Sequence, residues 1–225
     1  SVAVYLDDQP VTATGAYLNP HIYDASRIEV LAGPQGTLFG ANAQSGAMRI
    51  ITNQPDTSEF SGGLDLDVNS PKSGGVGNTI EGFINVPITD SVALRIVGYS
   101  KHDAGFIDNV RGEHTFSHGY IRDGLVAGGA TVEQAAAMAP DFTYNNYTEG
   151  DIGNVAGDNF NEATTTGLRA ALRVDLNDSW TATASIIQQD LESDGVWDHD
   201  PTVGDLQVFR IMPDSLDDEW TQYSL

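Results

Sequence analysis

The 225-residue sequence contains no cysteine and only two lysines, whereas its 32 acidic residues give it a formal net charge of −22 at pH 7. The absence of cysteine excludes disulfides, thiolate metal sites and cysteine nucleophiles, and it is consistent with a chain that faces the periplasm. The shortage of basic residues excludes a nucleic-acid-binding role, because phosphate backbones are bound by stripes of lysine and arginine.

The sequence also lacks an apolar run as long as a membrane helix, and it does not open on a charged segment followed by an apolar one. We therefore predict neither a membrane helix nor a signal peptide in these residues. What the sequence has after Pro55 is alternation with a period of two. In the clearest run, residues 167–176, Leu168 and Leu172 share one face while Arg169 and Arg173 share the other. Such runs predict strands with one apolar and one polar face.

Alternation alone fits a soluble β-sandwich as well as a membrane barrel, but the lengths of the connections favour the barrel. Short turns at 87–91 and 177–179 alternate with long connections at 69–78, 103–162 and 193–220. Transmembrane barrels have this asymmetry, with short periplasmic turns and long outer loops. Trp180 begins a strand beside a short turn, where an aromatic girdle would meet the periplasmic interface.

Most of the acidity belongs to two of these connections. Residues 103–162 contain ten acids and two arginines, and residues 193–220 contain eight acids and one arginine. The first connection also contains one helix signal: Thr131 as the N-cap, Gln134 three residues later as in a capping box, and Pro140 as a stop. We expect a short surface helix there.

The most informative stretch is residues 27–53, RIEVLAGPQGTLFGANAQSGAMRIITN, in which a short strand enters a glycine-rich loop and a second strand (47–52) leaves it. A phosphate-binding loop is excluded because no Gly-Lys-Ser/Thr leads into a helix, and the glycine spacing does not fit a dinucleotide fingerprint. An ordinary β-hairpin remains the plain alternative.

The same stretch resembles the plug signature of TonB-dependent outer-membrane receptors, in which R-I-E-V, G-P, an aromatic-Gly pair, a Gly pair and I-I-T follow in order. Ala32 stands where the family usually has a basic residue, and Ser45-Gly46 replaces the Gly pair. The segments VAVYLDDQPV (2–11), ALRIVGYSKHDAGFIDN (93–109) and GLRAALRVDLNDSWTATASIIQQDLESDG (167–195) are similar to family segments in the same order.

The resemblance implies an all-β fragment: the C-terminal part of a plug domain in residues 1–56, then about six antiparallel strands of an incomplete transmembrane β-barrel in residues 57–225, with long acidic extracellular loops. In the family, the full barrel is of the 22-stranded type with a plugged lumen. The implied location is the outer membrane of a Gram-negative cell.

The implied function is active uptake of a scarce solute, of the ferric siderophore, cobalamin or oligosaccharide class, and no enzymatic reaction is predicted. The implied partners are this solute, outer-membrane lipid and the TonB complex of the inner membrane, which would be engaged through an upstream segment. The plug loops expected to face the solute are 14–19 and 39–44. Within them, the predicted ligand-binding residues are Tyr17, Asn19, Phe39, Asn42 and Gln44.

No metal or cofactor is predicted. Two candidate metal sites are weaker than their plain interpretations: His114 and His118 lack helical support and a third ligand, and the acidic loop of Asp194, Asp198, Asp200 and Asp205 lacks EF-hand spacing for calcium. Two alternative functions remain, a passive porin-type barrel and a soluble acidic β-domain that binds carbohydrate or calcium. They differ in one observable, because the leucines of residues 167–176 lie on an uncovered face in a barrel and are packed between sheets in a soluble domain.

Overall fold

The computed structural model describes residues 2–13, 16–40, 42–148 and 154–225. The first part of the chain contains β1 (Val2–Leu6), β2 (Gln9–Pro10), β3 (Thr12–Ala13), β4 (Ala16–Tyr17), β5 (Ala25–Ala32), α1 (Gly36–Phe39) and β6 (Gly46–Thr52). The remainder contains β7 (Ser61–Asn69), β8 (Gly77–Thr89), β9 (Val92–Asp103), β10 (Asp108–Asn109), β11 (Glu113–Phe116), α2 (Gly119–Ala127), α3 (Val132–Met138), β12 (Phe142–Asn145), β13 (Ala163–Asn177), β14 (Trp180–Asp194), β15 (Gln207–Val208) and β16 (Ser215–Ser224).

A mixed four-stranded sheet, here called the inner sheet, is built from the first part of the chain in the order β2-β1-β6-β5. β1 and β6 pair in parallel, while β5 and β6 pair antiparallel and form the two strands predicted around the glycine-rich loop. A Cβ at Gly46 would lie 2.6 Å from the Leu31 carbonyl oxygen, so glycine is required where the returning strand begins. Gly33 and Gly40 have positive φ values of 87° and 71°, which favour glycine for the same loop.

An antiparallel six-stranded sheet, here called the outer sheet, follows in the order β16-β14-β13-β9-β8-β7. Neighbours in the sheet are neighbours along the chain, apart from short elements in the loops, as expected for consecutive strands of a barrel. The turns at 90–91 and 178–179 have two residues each, whereas the connection 104–162 is long.

The outer sheet has its apolar face outward and its polar face inward, which is the reverse of the arrangement in a soluble protein. Leu64, Leu66 and Leu168 are 68%, 68% and 54% exposed on the outward face, whereas Arg95 and Arg169 are 6% and 4% exposed on the face that meets the inner sheet. A soluble domain would bury the leucines and expose the arginines. This arrangement contradicts the soluble β-domain alternative and confirms the predicted all-β fold of a plug against barrel strands.

Apolar contacts also join the two sheets. Leu6 and Ile50 of the inner sheet pack in one buried cluster with Ile187 and Trp220 of the outer sheet. A second cluster, Ala3, Tyr5, Ala43 and Ala47, lies within the inner sheet and its glycine-rich loop.

The predicted surface helix is confirmed as α3, with both hydrogen bonds of a capping box between Thr131 and Gln134. Among the described residues, no helix has the length and apolar character needed to cross a membrane. The second long connection is shorter than the predicted 193–220. β14 runs to Asp194 and β16 begins at Ser215, so three consecutive acids, Asp217 to Glu219, lie in a strand. Pairing with β14 satisfies their backbone groups and overrides the low strand propensity of acidic residues.

Candidate functional site: the contact between the inner and outer sheets

A buried charge cluster lies where the two sheets meet. The Asp24 carboxylate, whose side chain is 2% exposed, accepts hydrogen bonds from Arg95 Nε at 2.7 Å and from Arg169 at 2.5 Å. Asn53 Nδ2 donates to the same carboxylate at 2.8 Å, and the Arg95 guanidinium lies 4.1 Å from the centre of the Phe83 ring. One carboxylate on the inner side therefore holds two arginines on neighbouring strands of the outer sheet.

Residues 19–24, here called the anchoring segment, precede β5 and carry Asp24 at their end. Gln189 is 1% exposed and binds the backbone of this segment: its Oε1 accepts from the His21 N–H at 2.7 Å, and its Nε2 donates to the Asn19 carbonyl at 2.9 Å. The Tyr99 hydroxyl donates to the same Oε1 at 3.0 Å, so both acceptor positions of the amide oxygen are occupied.

Two further side chains of the segment reach the opposite edge of the outer sheet. His21 Nε2 lies 2.7 Å from a Glu81 carboxylate oxygen, and its ring stacks on Tyr99 at 4.5 Å between centroids. The Tyr23 hydroxyl donates to Asp65 at 2.9 Å. Burial, together with Asp65, raises the pKa of Tyr23 to about 12, so this donor keeps its proton across the physiological range. The segment is thus bonded to β7, β8, β9, β13 and β14 within six residues.

A second set of bonds holds the chain where it leaves the inner sheet. Asn85, which is fully buried, accepts from the Asp56 N–H at 2.9 Å and donates to the carbonyls of Asp56 and Glu59. Gln222 donates to the Leu6 carbonyl at 3.2 Å. The polar side chains on the inward face of the outer sheet therefore bond largely to backbone groups and carboxylates of the first part of the chain.

A cavity of about 490 Å³ opens above the anchoring segment. Its lining includes Asn19, His21, Lys101, Asp103 and Trp197. The cavity is bounded by the anchoring segment, by four strands of the outer sheet (β9, β13, β14 and β16) and by the loop after β14. Lys101 Nζ is paired with Asp103 at 2.7 Å and His21 with Glu81, so both of these basic side chains already have a carboxylate partner. The size suits a small molecule.

The predicted ligand-binding residues fall at two places. Asn19 lines the cavity, whereas Phe39 packs on the Tyr5 ring at 5.1 Å and its carbonyl accepts the Tyr5 hydroxyl. In the loop that follows α1, Asn42 is half-buried and Gln44 is exposed. Tyr17 lies on β4, but its side chain, like residues 14 and 15, is outside the described part of the chain. The ligand-binding role of all five residues stays a prediction.

The candidate metal ligands are dispersed. The His114 ring meets the Phe116 ring edge to face, His118 Nδ1 lies 3.0 Å from the Pro140 carbonyl, and Asp200 accepts a hydrogen bond from Thr202. Within the described ranges, no group of three or more histidine, cysteine or acidic side chains is placed to hold a metal ion.

The two long loops are joined by buried asparagines. Asn109 is 2% exposed and donates to the carbonyls of Val155 and Arg210, and Asn146, fully buried, donates to Arg210 as well. β10 and β15 pair in parallel at the same place. The described parts of loops 104–162 and 195–214 are therefore joined by hydrogen bonds.

Sequence reasoning did not find Asp24, Gln189 or Arg169 as functional residues. A signal for two of them was present, because Gln189 and Arg169 lie on the polar faces of otherwise apolar strands. The sequence carries no such signal for Asp24, because an acidic residue in a loop is ordinarily solvated.

These features define the class of protein as a transmembrane β-barrel segment with an internal plug, because the outward face is apolar and the inward face is bonded to a separate sheet.

No protein-family model matches the chain. It is 30% identical to the iron-regulated outer membrane virulence protein of Vibrio cholerae over 103 residues. This aligned stretch covers 45% of this chain and 14% of that protein. It is 40% identical to the pesticin receptor of Yersinia pestis over 57 residues. This second aligned stretch covers 25% of this chain and 8% of that protein. The chain thus spans a small part of the length of the relatives it matches.

A crystal structure of the ferric enterobactin receptor of Pseudomonas aeruginosa, in a mutant form, superposes with a TM-score of 0.51 at 18% identity, covering 86% of this chain and 25% of the receptor. The similarity in fold and the two sequence matches confirm the resemblance to the TonB-dependent outer-membrane receptors. The location is the outer membrane, as the resemblance implies.

Proposed function

We propose that this chain is the plug and first-strand region of a TonB-dependent receptor that takes up a ferric siderophore. The observation that carries the proposal is the anchoring segment: its backbone and its polar side chains are bonded to five strands of a sheet whose other face is apolar. A passive porin has no need of an inner sheet fixed across its lumen. The named relatives, an iron-regulated outer-membrane protein and a pesticin receptor, support this class.

The solute is expected to meet the cavity above the anchoring segment. There Asn19 offers an exposed amide, and Trp197, 53% exposed, offers an aromatic face. The basic side chains Lys101 and His21 are each paired with a carboxylate, and the surrounding loops are strongly acidic. A chelate that is neutral or weakly charged suits this site better than a polyanionic one, which the loops would repel. The relative from Yersinia pestis is named as a receptor, and we assign the chain no covalent chemistry.

Energy coupling and membrane contact complete the proposal. The partners are the TonB complex, which would act on the plug, and outer-membrane lipid, which would contact Leu64, Leu66 and Leu168 on the outward face.

The test is uptake of radioactive iron by iron-starved cells that express the full-length receptor containing this chain, supplied with a panel of ferric siderophores of different charge. We expect saturable accumulation that stops when a protonophore is added or the TonB gene is deleted. Energy-independent, non-saturable entry would instead establish a passive pore. If the strongest uptake were of a strongly anionic chelate, and neutralising the loop acids left it unchanged, the charge argument would be wrong while the receptor class stood.

A further inference from the structure

The first long loop carries a two-stranded ribbon, β11 and β12, with an aromatic face. His114 pairs with Tyr144 and Phe116 with Phe142, so these four rings lie on one side of the ribbon. On the other side Thr115 and Thr143 bond to each other through their hydroxyls at 2.7 Å. The ribbon thus has one aromatic and one polar face, although it belongs to a loop.

The aromatic face is open. Phe116, Phe142 and Tyr144 are 39%, 43% and 38% exposed, and His114 is also exposed. The rings meet edge to face, with centroids 5.8 Å apart for Phe116 and Tyr144 and 5.9 Å apart for Phe142 and Tyr144. Edge-to-face contacts hold the rings in fixed relative positions. A cluster of exposed aromatic side chains on a loop marks a binding surface.

The size of the face selects the kind of partner. Four residues of antiparallel strand extend about 14 Å, and two strands, each about 5 Å wide, together span about 10 Å, so the face covers on the order of 140 Å². A stable protein interface buries roughly 800 Å² on each partner. The face is therefore too small for a second copy of the chain or another protein to be held by it alone, but it matches one or two sugar rings.

The chemistry of the face agrees with a sugar. Pyranose rings combine an apolar C–H surface, which packs on aromatic faces, with hydroxyls that need hydrogen-bond partners. In the described part of the chain, neither the Tyr144 hydroxyl nor the His114 ring nitrogens have a hydrogen-bond partner, so both can serve a ligand.

Charge then selects the class of sugar. Residues 103–162 carry ten acids and two arginines, and Glu113 lies on the ribbon itself. Anionic saccharides, and the phosphates of lipid headgroups, would be repelled at this loop. We propose that the aromatic face of the β11–β12 ribbon is a binding site for a neutral saccharide, distinct from the cavity above the anchoring segment. This proposal does not depend on the transported solute.

The test uses the full-length receptor in detergent, applied to an array of neutral, sialylated and phosphorylated glycans. The best neutral ligand of the array is then titrated by isothermal calorimetry. We expect binding to neutral glycans, weakened about tenfold by Phe142→Ala and severalfold by Tyr144→Phe, which removes only a hydroxyl and preserves the ring. Val132→Ala is the matched control, because Val132 is 68% exposed on α3 of the same loop but lies off the ribbon.

Four results would overturn the proposal. They are an array without any neutral glycan bound, binding confined to anionic glycans, an affinity that Phe142→Ala and Tyr144→Phe leave unchanged, and receptor self-association that Phe142→Ala abolishes. Circular dichroism of each variant, and its retained iron uptake, show that the receptor is folded.

Discussion

Replacing Asp24 by asparagine removes the carboxylate to which Arg95 and Arg169 are both bonded, while preserving the shape of the side chain. All three side chains are at most 8% exposed, so water cannot take the place of the lost charge. Removing one partner of a buried ion pair costs about 3–5 kcal/mol, because the other charge stays buried without compensation. The Asn53 carbonyl, 3.1 Å from Arg169, and the Phe83 ring over Arg95 offset a small part of this cost.

Hydrogen exchange measured by mass spectrometry on the full-length receptor gives the magnitude directly. If exchange of the β5 and β6 amides occurs by opening of the inner sheet, a loss of 3–5 kcal/mol raises its rate roughly a hundredfold to a few thousandfold. The matched control is Asp8→Asn. Asp8 also pairs with an arginine, Arg49, but its side chain is 75% exposed, so we expect less than about a fivefold change.

The comparison of the two variants tests whether the charge cluster at Asp24 fastens the inner sheet to the outer sheet. If Asp24→Asn and Asp8→Asn accelerate exchange equally, the cluster at Asp24 does not fasten the inner sheet to the outer one. An effect of Asp24→Asn confined to the anchoring segment, with β5 and β6 unchanged, would also contradict it.

Three further predictions concern the membrane face, the loop unit and pH. Leu172→Arg places a charge near the middle of the outward face and should lower barrel stability by about 2–4 kcal/mol. Glu192→Arg lies near the outer end of its strand and should change the stability by less than about 1 kcal/mol. Both values are measured by urea unfolding in lipid vesicles. Asn146→Ala leaves several buried backbone groups without their partner and should increase proteolysis of loop 104–162 about tenfold or more, with unchanged cleavage elsewhere; equal cleavage would show that the loops are not joined by this residue. Hydrogen bonds from Arg122 hold the pKa of Asp141 below its usual value, so the stabilisation is present above about pH 4 and is lost as the pH falls through the lowered pKa; exchange of α2 and α3 should rise there, and Asp141→Asn should abolish that pH dependence.

Much of the fold could be predicted from local patterns. Strand alternation follows from the geometry of the pleat, and the capping box at Thr131 is a contact between residues three apart. Both are interactions within one element, so they are visible in a short window of sequence. β16 was partly missed for the opposite reason, because Asp217 to Glu219 are poor strand formers and only pairing with β14 makes them a strand.

The candidate site is formed by contacts between residues that are far apart in the sequence. Asp24 and Arg169 are separated by 145 positions and His21 and Gln189 by 168, so no local pattern joins them. Phe39 and Asn19 were grouped by their loop positions, yet Phe39 packs against Tyr5 while Asn19 lines the cavity.

The sequence by itself determined the class of fold, because alternation, turn length and glycine placement are properties of neighbouring residues. It also determined that the loops are acidic. Only the tertiary structure decided that Arg95 and Arg169 of the outer sheet face inward and are neutralised by the carboxylate of Asp24 in the anchoring segment. The physical reason is that the cost of burying a charge depends on what lies across the interface, and the partner comes from a different part of the chain.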